Sequence, residues 1–237
     1  MNIALFGYGK MGKAIEEIAL AKGHNISLSI DNEQQWESNK ALLNTVDVAI
    51  DFSTPQAVLT NIGRCFEAKI PIVVGTTAWY EAIPKLKTKC EQENQSLLWA
   101  SNFSIGVNIF FKINKELARL MNTYPDYSVA VKEIHHSGKL DAPSGTAISI
   151  ANDIIEEIDR KNKWILGESN KAEELSITAK RIDPVPGTHQ VIYDSEIDTI
   201  EIIHSAKSRK GFAKGAILAA EWIINHKGFY EFKEVFF

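Results

Sequence analysis

Residues 1–12 read MNIALFGYGKMG, and the fold turns on them. A short apolar run, residues 2–6, leads directly into glycines at positions 7, 9 and 12. The spacing G-x-G-x-x-G is common by chance and gains weight only where a strand precedes it and a helix follows. Both conditions hold here. Apolar residues at Met11, Ala14, Ile15, Ile18 and Ala19 recur at helical spacing across residues 10–22. In such a βα start, Gly7 allows the tight turn, Gly9 the close approach of a pyrophosphate, and Gly12 the packing of helix on strand. An acidic residue ~20 positions further on is expected to bind ribose hydroxyls at the end of the second strand. Asp31 closes NISLSID, residues 25–31. No lysine or arginine adjoins it, so the cofactor reading is NADH or NADPH with a lean toward NADH.

Working outward, strands are expected at 25–30, 47–52 (DVAIDF), 71–74 (PIVV) and 96–99, with helices at 55–69 and 78–93 between them. Strict alternation of strand and helix implies a doubly wound parallel sheet of the Rossmann type, an α/β fold. The loops FSTP (52–55), GTT (75–77) and ASNF (100–103) fall at carboxyl ends of those strands, where ligands bind in such sheets. Small hydroxyl-bearing turns suit nicotinamide contacts and suit helix capping equally. Beyond residue 105 the rhythm changes. A helix (107–121), a strand (127–134) and a helix to about residue 160 precede a polar stretch (161–174) and three strand-like runs at 175–182, 190–193 and 199–204. Consecutive strands without helices between them point to an α+β second domain with a mixed or antiparallel sheet. A strong helix, 212–225, ends the pattern, and hinges are expected near residues 104 and 209.

Composition narrows the function classes. The 237 residues carry 26 Lys and Arg against 30 Asp and Glu, a net charge of −4, so no basic field argues for nucleic acid. No apolar run approaches a membrane span, and MNIALFGYGK carries no basic leader, so a secretory signal is not expected. Cys65 and Cys90 lie in helical segments without metal-ligand spacing, which fits a reducing, cytoplasmic setting. No metal site is expected.

The second informative stretch is EIHHSGKLDAPSGTA, residues 133–147. Adjacent histidines titrate near neutrality, Lys139 is a fixed cation, and Ser144, Gly145 and Thr146 open a helix with free backbone donors. Together they form a socket for an anion that also receives a proton. Arg209 adds a further cation able to bind a carboxylate, and Asp141 is expected to brace the loop. His135 and His136 are adjacent and no nearby carboxylate or cysteine completes a set with them, which makes a metal enzyme a poor reading.

With GYGKMG, DFSTP, VVGTT, NFSIGVN and SRKGFAKGA, this stretch resembles the dihydrodipicolinate reductase (4-hydroxy-tetrahydrodipicolinate reductase) family of lysine and diaminopimelate biosynthesis. The likeness runs through nearly the whole chain in order. It implies a homotetramer that reduces a cyclic imine dicarboxylate with NADH or NADPH and loss of water. It implies a dinucleotide-binding domain over 1–105, completed by 210–237, and an inserted substrate-binding and tetramerisation domain over 106–209. Carried over residue by residue, His135 is the proton donor and Lys139 a second catalytic cation. His136, Ser144, Gly145, Thr146 and Arg209 bind substrate. Gly7, Tyr8, Gly9, Lys10, Met11, Gly12, Asp31, Gly75, Thr76, Thr77, Ala100, Ser101, Asn102 and Phe103 bind the dinucleotide. The segment 32–46 is shorter than in longer members, which leaves cofactor preference open; Ser137 and Gly138 stand where other members carry bulkier or basic residues, which lowers local charge but keeps the His-to-Lys spacing. The chemistry agrees: hydride addition to a conjugated imine builds negative charge that a group titrating near neutrality must quench. The alternatives are another two-domain amino or imino acid dehydrogenase, which has no need of the His-His-x-x-Lys block, or a non-catalytic dinucleotide sensor.

Overall fold

The computed structural model describes residues Met1–Phe237. The chain forms two units, Met1–Ile105 with Arg209–Phe237, and Gly106–Ser208. The first unit contains β1 (Asn2–Phe6), α1 (Lys10–Ala21), β2 (Asn25–Ile30), α2 (Glu33–Asn39), β3 (Val48–Asp51), α3 (Val58–Glu67), β4 (Ile72–Val74), α4 (Ile83–Glu93) and β5 (Ser96–Trp99). The second contributes α5 (Ile105–Met121), β6 (Ser128–His135), α6 (Gly145–Glu157), β7 (Lys163–Leu166), β8 (Glu174–Arg181), β9 (Gly187–Asp194) and β10 (Thr199–Ala206). The chain then returns to the first unit through α7 (Lys210–Ile223), β11 (Gly228–Glu231) and α8 (Phe232–Phe236).

The first unit is a six-stranded sheet in the order β11-β5-β4-β3-β1-β2, parallel throughout. Parallel sheets bury both faces, and the alternation along β1 serves both. Ile3 and Leu5 pack toward Ile15 and Ala19 of α1 and the alanine-rich face of α7. Ala4 and Phe6 pack toward Ile62 and Phe66 of α3. Small residues let α7 lie close: a Cβ on Gly215 would fall 1.8 Å from the Phe103 carbonyl oxygen. Between β1 and β3 the strand order reverses direction. Ligands bind outside the carboxyl ends of the strands at such a switch point.

The second unit is a mixed sheet, β10-β9-β6-β8-β7, in which β6, β8 and β7 run parallel and β9 is antiparallel to β6 and β10. One face is a core of Val129, Val131, Ile177 and Val191 under Ile150, Ala151 and Ile154 of α6 and Phe110 and Met121 of α5. The other face is open, with Lys132 exposed on β6 and Ile203, 56% exposed, on the edge strand β10.

Four elements differ from the expectation. Residues 33–39 form α2, residues 163–166 inside the polar stretch form β7, residues 228–231 form β11 and residues 232–236 form α8. Each of the two strands has only four residues. A segment so short shows too little periodicity of its own, and its identity comes from a neighbour: β8 for β7, β5 for β11.

Candidate active site

The buried positions of β6 are Val129, Val131, Glu133 and His135. The two-residue period therefore carries a carboxylate and an imidazole onto the face that α6 covers. Glu133 is 1% exposed and His135 7%. His136, the next residue, lies past the end of the strand and is half-buried. The turn then returns to Ser144, which caps α6: its hydroxyl accepts the Ala147 N–H at 3.2 Å.

Glu133 organises this turn. Both of its oxygens accept the Ser144 N–H at 3.1 Å, and Oε1 also receives the Arg181 guanidinium at 3.2 Å. Oε2 faces Nδ1 of His135 at 3.5 Å and Nε2 of His189 at 3.8 Å. His189 stands opposite Glu133 in the β6–β9 register, and its Nε2 also meets the Ser144 hydroxyl at 3.2 Å. The two imidazoles sit edge to face with centroids 5.1 Å apart. Arg181, the last residue of β8, further holds the carbonyls of Lys139 and Asp141 at 3.3 and 2.6 Å.

Burial dominates the titration of both imidazoles. It pushes His189 down to about 3, helped by the nearby His135 and His204 rings and by Lys139. Burial also lowers His135, with Lys139 and Arg181 in the same direction and Glu133 and Asp141 opposing. Lys139 gives two hydrogen bonds to Asp141, at 2.7 and 2.8 Å, and holds that carboxyl below its ordinary range. Asp141 is thus a loop brace tied to the lysine.

Ser144 spends its N–H on Glu133 and its hydroxyl inward. The donors left facing outward at the start of α6 are those of Gly145 and Thr146, where helix geometry provides no internal acceptor. A Cβ on Gly145 would meet nothing within 4 Å. Glu133, His135 and His189 also bring three possible metal-ligand atoms within 4.8 Å, a carboxylate-histidine grouping that sequence adjacency does not reveal. The Glu133 charge is already matched by Arg181, whose guanidinium opposes a dication there. Arg209, exposed at the start of α7, belongs to the other unit.

In the first unit, Gly7 adopts φ +89°, and a Cβ there would lie 2.3 Å from the Phe52 carbonyl oxygen. A Cβ on Gly12 would lie 2.4 Å from the Gly7 carbonyl oxygen, whereas one on Gly9 would meet nothing within 4 Å. Gly7 and Gly12 are required by the protein itself. Gly9 keeps open a space the protein does not fill, at the mouth of a helix whose first turn has no side-chain cap. Asp31 accepts the Tyr8 N–H, which ties the end of β2 to the glycine loop. Lys10 and Met11 begin α1. These features fit a dinucleotide: open backbone donors for phosphates and a carboxylate for hydroxyls.

The neighbouring loops are organised by Asp51, fully buried at the end of β3. It accepts from the Ser53 N–H and hydroxyl (3.0 and 2.8 Å), the Asn61 amide (2.8 Å) and the Thr76 hydroxyl (2.6 Å). The Thr76 side chain is therefore engaged within the protein, while Thr77 is exposed. A Cβ on Gly75 would strike the Phe52 ring at 2.2 Å. After β5, Ala100 and Phe103 are buried, Phe103 against Phe52 and Phe232; Ser101 is exposed, and the Asn102 side chain accepts the Ser104 N–H at 2.8 Å.

Residues 1–103 match the model of the dihydrodipicolinate reductase N-terminus and residues 106–236 that of its C-terminus. The chain belongs to the dihydrodipicolinate reductase family. A relative from Christiangramia forsetii named 4-hydroxy-tetrahydrodipicolinate reductase is 48% identical over 235 residues, covering 99% of this chain and 97% of the relative. One of the same name from Thermosipho africanus is 35% identical over 99% of this chain and 97% of its own length. Among solved structures, dipicolinate-bound dihydrodipicolinate reductase from Paenisporosarcina sp. TG-14 superposes with a TM-score of 0.78 at 23% identity, covering 99% of both chains. An amine dehydrogenase from Mycobacterium smegmatis shares the fold at a TM-score of 0.58 and 10% identity, over 96% of this chain and 93% of that one.

Within this member of the dihydrodipicolinate reductase family, the sequence reading had missed Glu133, Arg181, His189 and Asp51. A signal existed for one: Glu133 falls two residues before His135, hence on the same strand face. Arg181 and His189 lie 48 and 56 residues along from Glu133, and only strand register brings them together.

Proposed function

We propose that this chain is an NAD(P)H-dependent reductase of 4-hydroxy-tetrahydrodipicolinate, which it converts to tetrahydrodipicolinate with loss of water. The observation that carries the reading is a buried histidine held beside an anion-binding helix start, on a chain whose first unit has an open glycine loop. When bound, the reduced nicotinamide supplies a hydride to the conjugated imine. Gly9 and the first turn of α1 admit the pyrophosphate, and Asp31 orients the adenosine ribose. The Gly75–Thr77 and Ala100–Phe103 loops, braced by Asp51 and Phe52, border the same ligand. His136, Lys139 and the Gly145 and Thr146 donors hold substrate carboxylates, with Arg209 as a further cation. His135 gives its proton to the ring as negative charge develops there.

NADH is the favoured cofactor. Asp31 repels a 2′-phosphate, and Arg64, which reaches Glu33 just past Asp31, is ion-paired there at 2.6 Å and stacked 4.1 Å from the centre of the Trp36 ring. We place the enzyme in the cytoplasm. Both cysteines are free and buried, and no helix is long and apolar enough to cross a membrane. A homotetramer assembled through the second unit is supported by that unit's one-sided sheet, whose open face and β10 edge offer a surface for other copies.

The deciding experiment generates the unstable substrate in place from pyruvate and aspartate semialdehyde with its synthase, then follows oxidation of NADH and NADPH separately by absorbance. Protein-dependent oxidation, faster with NADH, is expected. His135→Ala and Lys139→Ala should each lower turnover by about 10²-fold or more, the range of a lost proton donor, with NADH affinity unchanged. If neither cofactor is oxidised while NADH still binds, the reductase reading fails and a dinucleotide sensor replaces it.

A further inference from the structure

Glu133 has no assigned part in the reaction described above, yet it is the most buried acidic group of the second unit, 1% exposed at the centre of the sheet. A buried carboxylate is costly unless its charge and lone pairs are matched. The match here is uneven. Oε1 has Arg181, both oxygens share the Ser144 N–H, and Oε2 points at His135 with capacity to spare. On the other side of that 3.5 Å gap, His135 Nδ1 is buried and has no hydrogen-bond partner. A spare acceptor and an unpaired ring nitrogen thus face each other at the end of β6. The opposite ring nitrogen, Nε2, faces Gly187 of β9, where a Cβ would sit 3.0 Å away; the glycine puts no side chain of its own over that nitrogen.

We infer that Glu133 is the positioning residue of the proton donor: its Oε2 takes the Nδ1–H of His135, so that the transferable proton is carried on Nε2. Resting on the reductase reading, this makes the step a simple exchange. The imidazolium N–H bond at Nε2 breaks, a C–H bond forms on the substrate ring, and the histidine is left neutral with Nδ1–H still held by Glu133. Solvent restores the proton at Nε2. All the groups facing His135 enter the balance. Burial, Lys139 of the turn and Arg181 of β8 disfavour the imidazolium; Glu133 and Asp141 favour it; neutral His189 of β9 packs against the ring. Glu133 is the favouring charge on the strand itself, and without it His135 would hold its proton only at lower pH.

The test uses Glu133→Gln in the full chain. Glutamine keeps an oxygen for the Ser144 N–H and removes the charge. The pH dependence of kcat/KM is measured in the coupled assay, and the His135 ring is titrated by NMR without ligands, assigned through His135→Asn. The limb of the profile on which activity falls with rising pH should move down by about one pH unit, and the NMR midpoint should move with it. NADH affinity should stay within about twofold, since the cofactor residues lie on other elements. Glu133→Asp, which keeps the charge, should leave the limb near its original position even where the rate falls. Arg181→Gln should move the limb upward, which gives a readout of opposite sign should Glu133→Gln fail to fold. A rate loss in Glu133→Gln with an unmoved limb and an unmoved NMR midpoint overturns the inference. Absence of any imine reduction by the unsubstituted protein overturns the reductase reading instead, and the NMR titration still decides whether Glu133 controls His135.

Discussion

Two glycines three residues apart serve different masters. Gly12 is required by the Gly7 carbonyl oxygen, and Gly9 by an open space above the first turn of α1. Gly12→Ala is therefore expected to lower the melting temperature through a backbone clash. Gly9→Val, at the extended N-cap of α1 where no clash with the protein arises, should lower melting less than Gly12→Ala and weaken NADH binding at least tenfold, about 1.4 kcal/mol; paired thermal melts and fluorescence titrations separate the two. His189 makes a prediction about acid. In the unfolded chain it binds a proton near its ordinary 6.5, whereas in the folded protein burial delays this to about 3. As pH falls below 6.5 the unfolded state takes the proton first, so stability declines until the pH nears 3 and then this contribution levels off. At pH 5 the loss from this group is on the order of 2 kcal/mol. Urea unfolding at pH 7 and pH 5 should show a smaller decline in His189→Gln by about that amount. The same residue marks a boundary of sequence reading. His135, Lys139 and the Ser-Gly-Thr turn lie within a dozen residues and announce themselves, while His189 has no local signal and joins them through the register of β9 on β6.

At the scale of elements, the site depends on strand ends being joined to one another. Asp51 accepts from α3 and from the loops after β3 and β4, so one carboxylate holds the wall of the nucleotide site. Asp51→Asn turns an amide N–H toward these donors. The cost expected for buried groups left unsatisfied is about 1–3 kcal/mol, seen as a lowered denaturation midpoint together with weaker NADH binding. The first five strands and the helices α1, α3 and α4 were legible because each carried enough residues to show its period and was punctuated by turns. Three of the missed elements fail that test for physical reasons. In β7, KWIL, both outer positions are exposed and Trp164 and Ile165 are half-buried, so no single alternation stands out. In β11, GFYE, every residue is half-buried, and its place is given by in-register pairing from Gly228 opposite Ser96 to Glu231 opposite Trp99. The seven residues of α2 bury none of their own, and an apolar stripe is the feature that reveals a helix.

For the molecule as a whole, the open face of the second sheet is the feature to test. Ile203 lies on that face, 56% exposed, on an edge strand eight residues long with no partner on its outer side. Ile203→Glu should leave the protomer's fold intact, since the residue is outside its core, and should reduce the mass in solution from the expected tetramer; light scattering with a melting curve checks both. The order of the chain carries a different consequence, one of timing. The sheet that receives the nucleotide is closed by β11, and its core by α7 and Phe232, all encoded after residue 208. The second unit, by contrast, is contiguous from Gly106 to Ser208 with a core of its own. On the ribosome, where domains fold as they emerge, the insert is therefore expected to be shaped first. The other unit waits, half-built, until residues 209–237 have been synthesised.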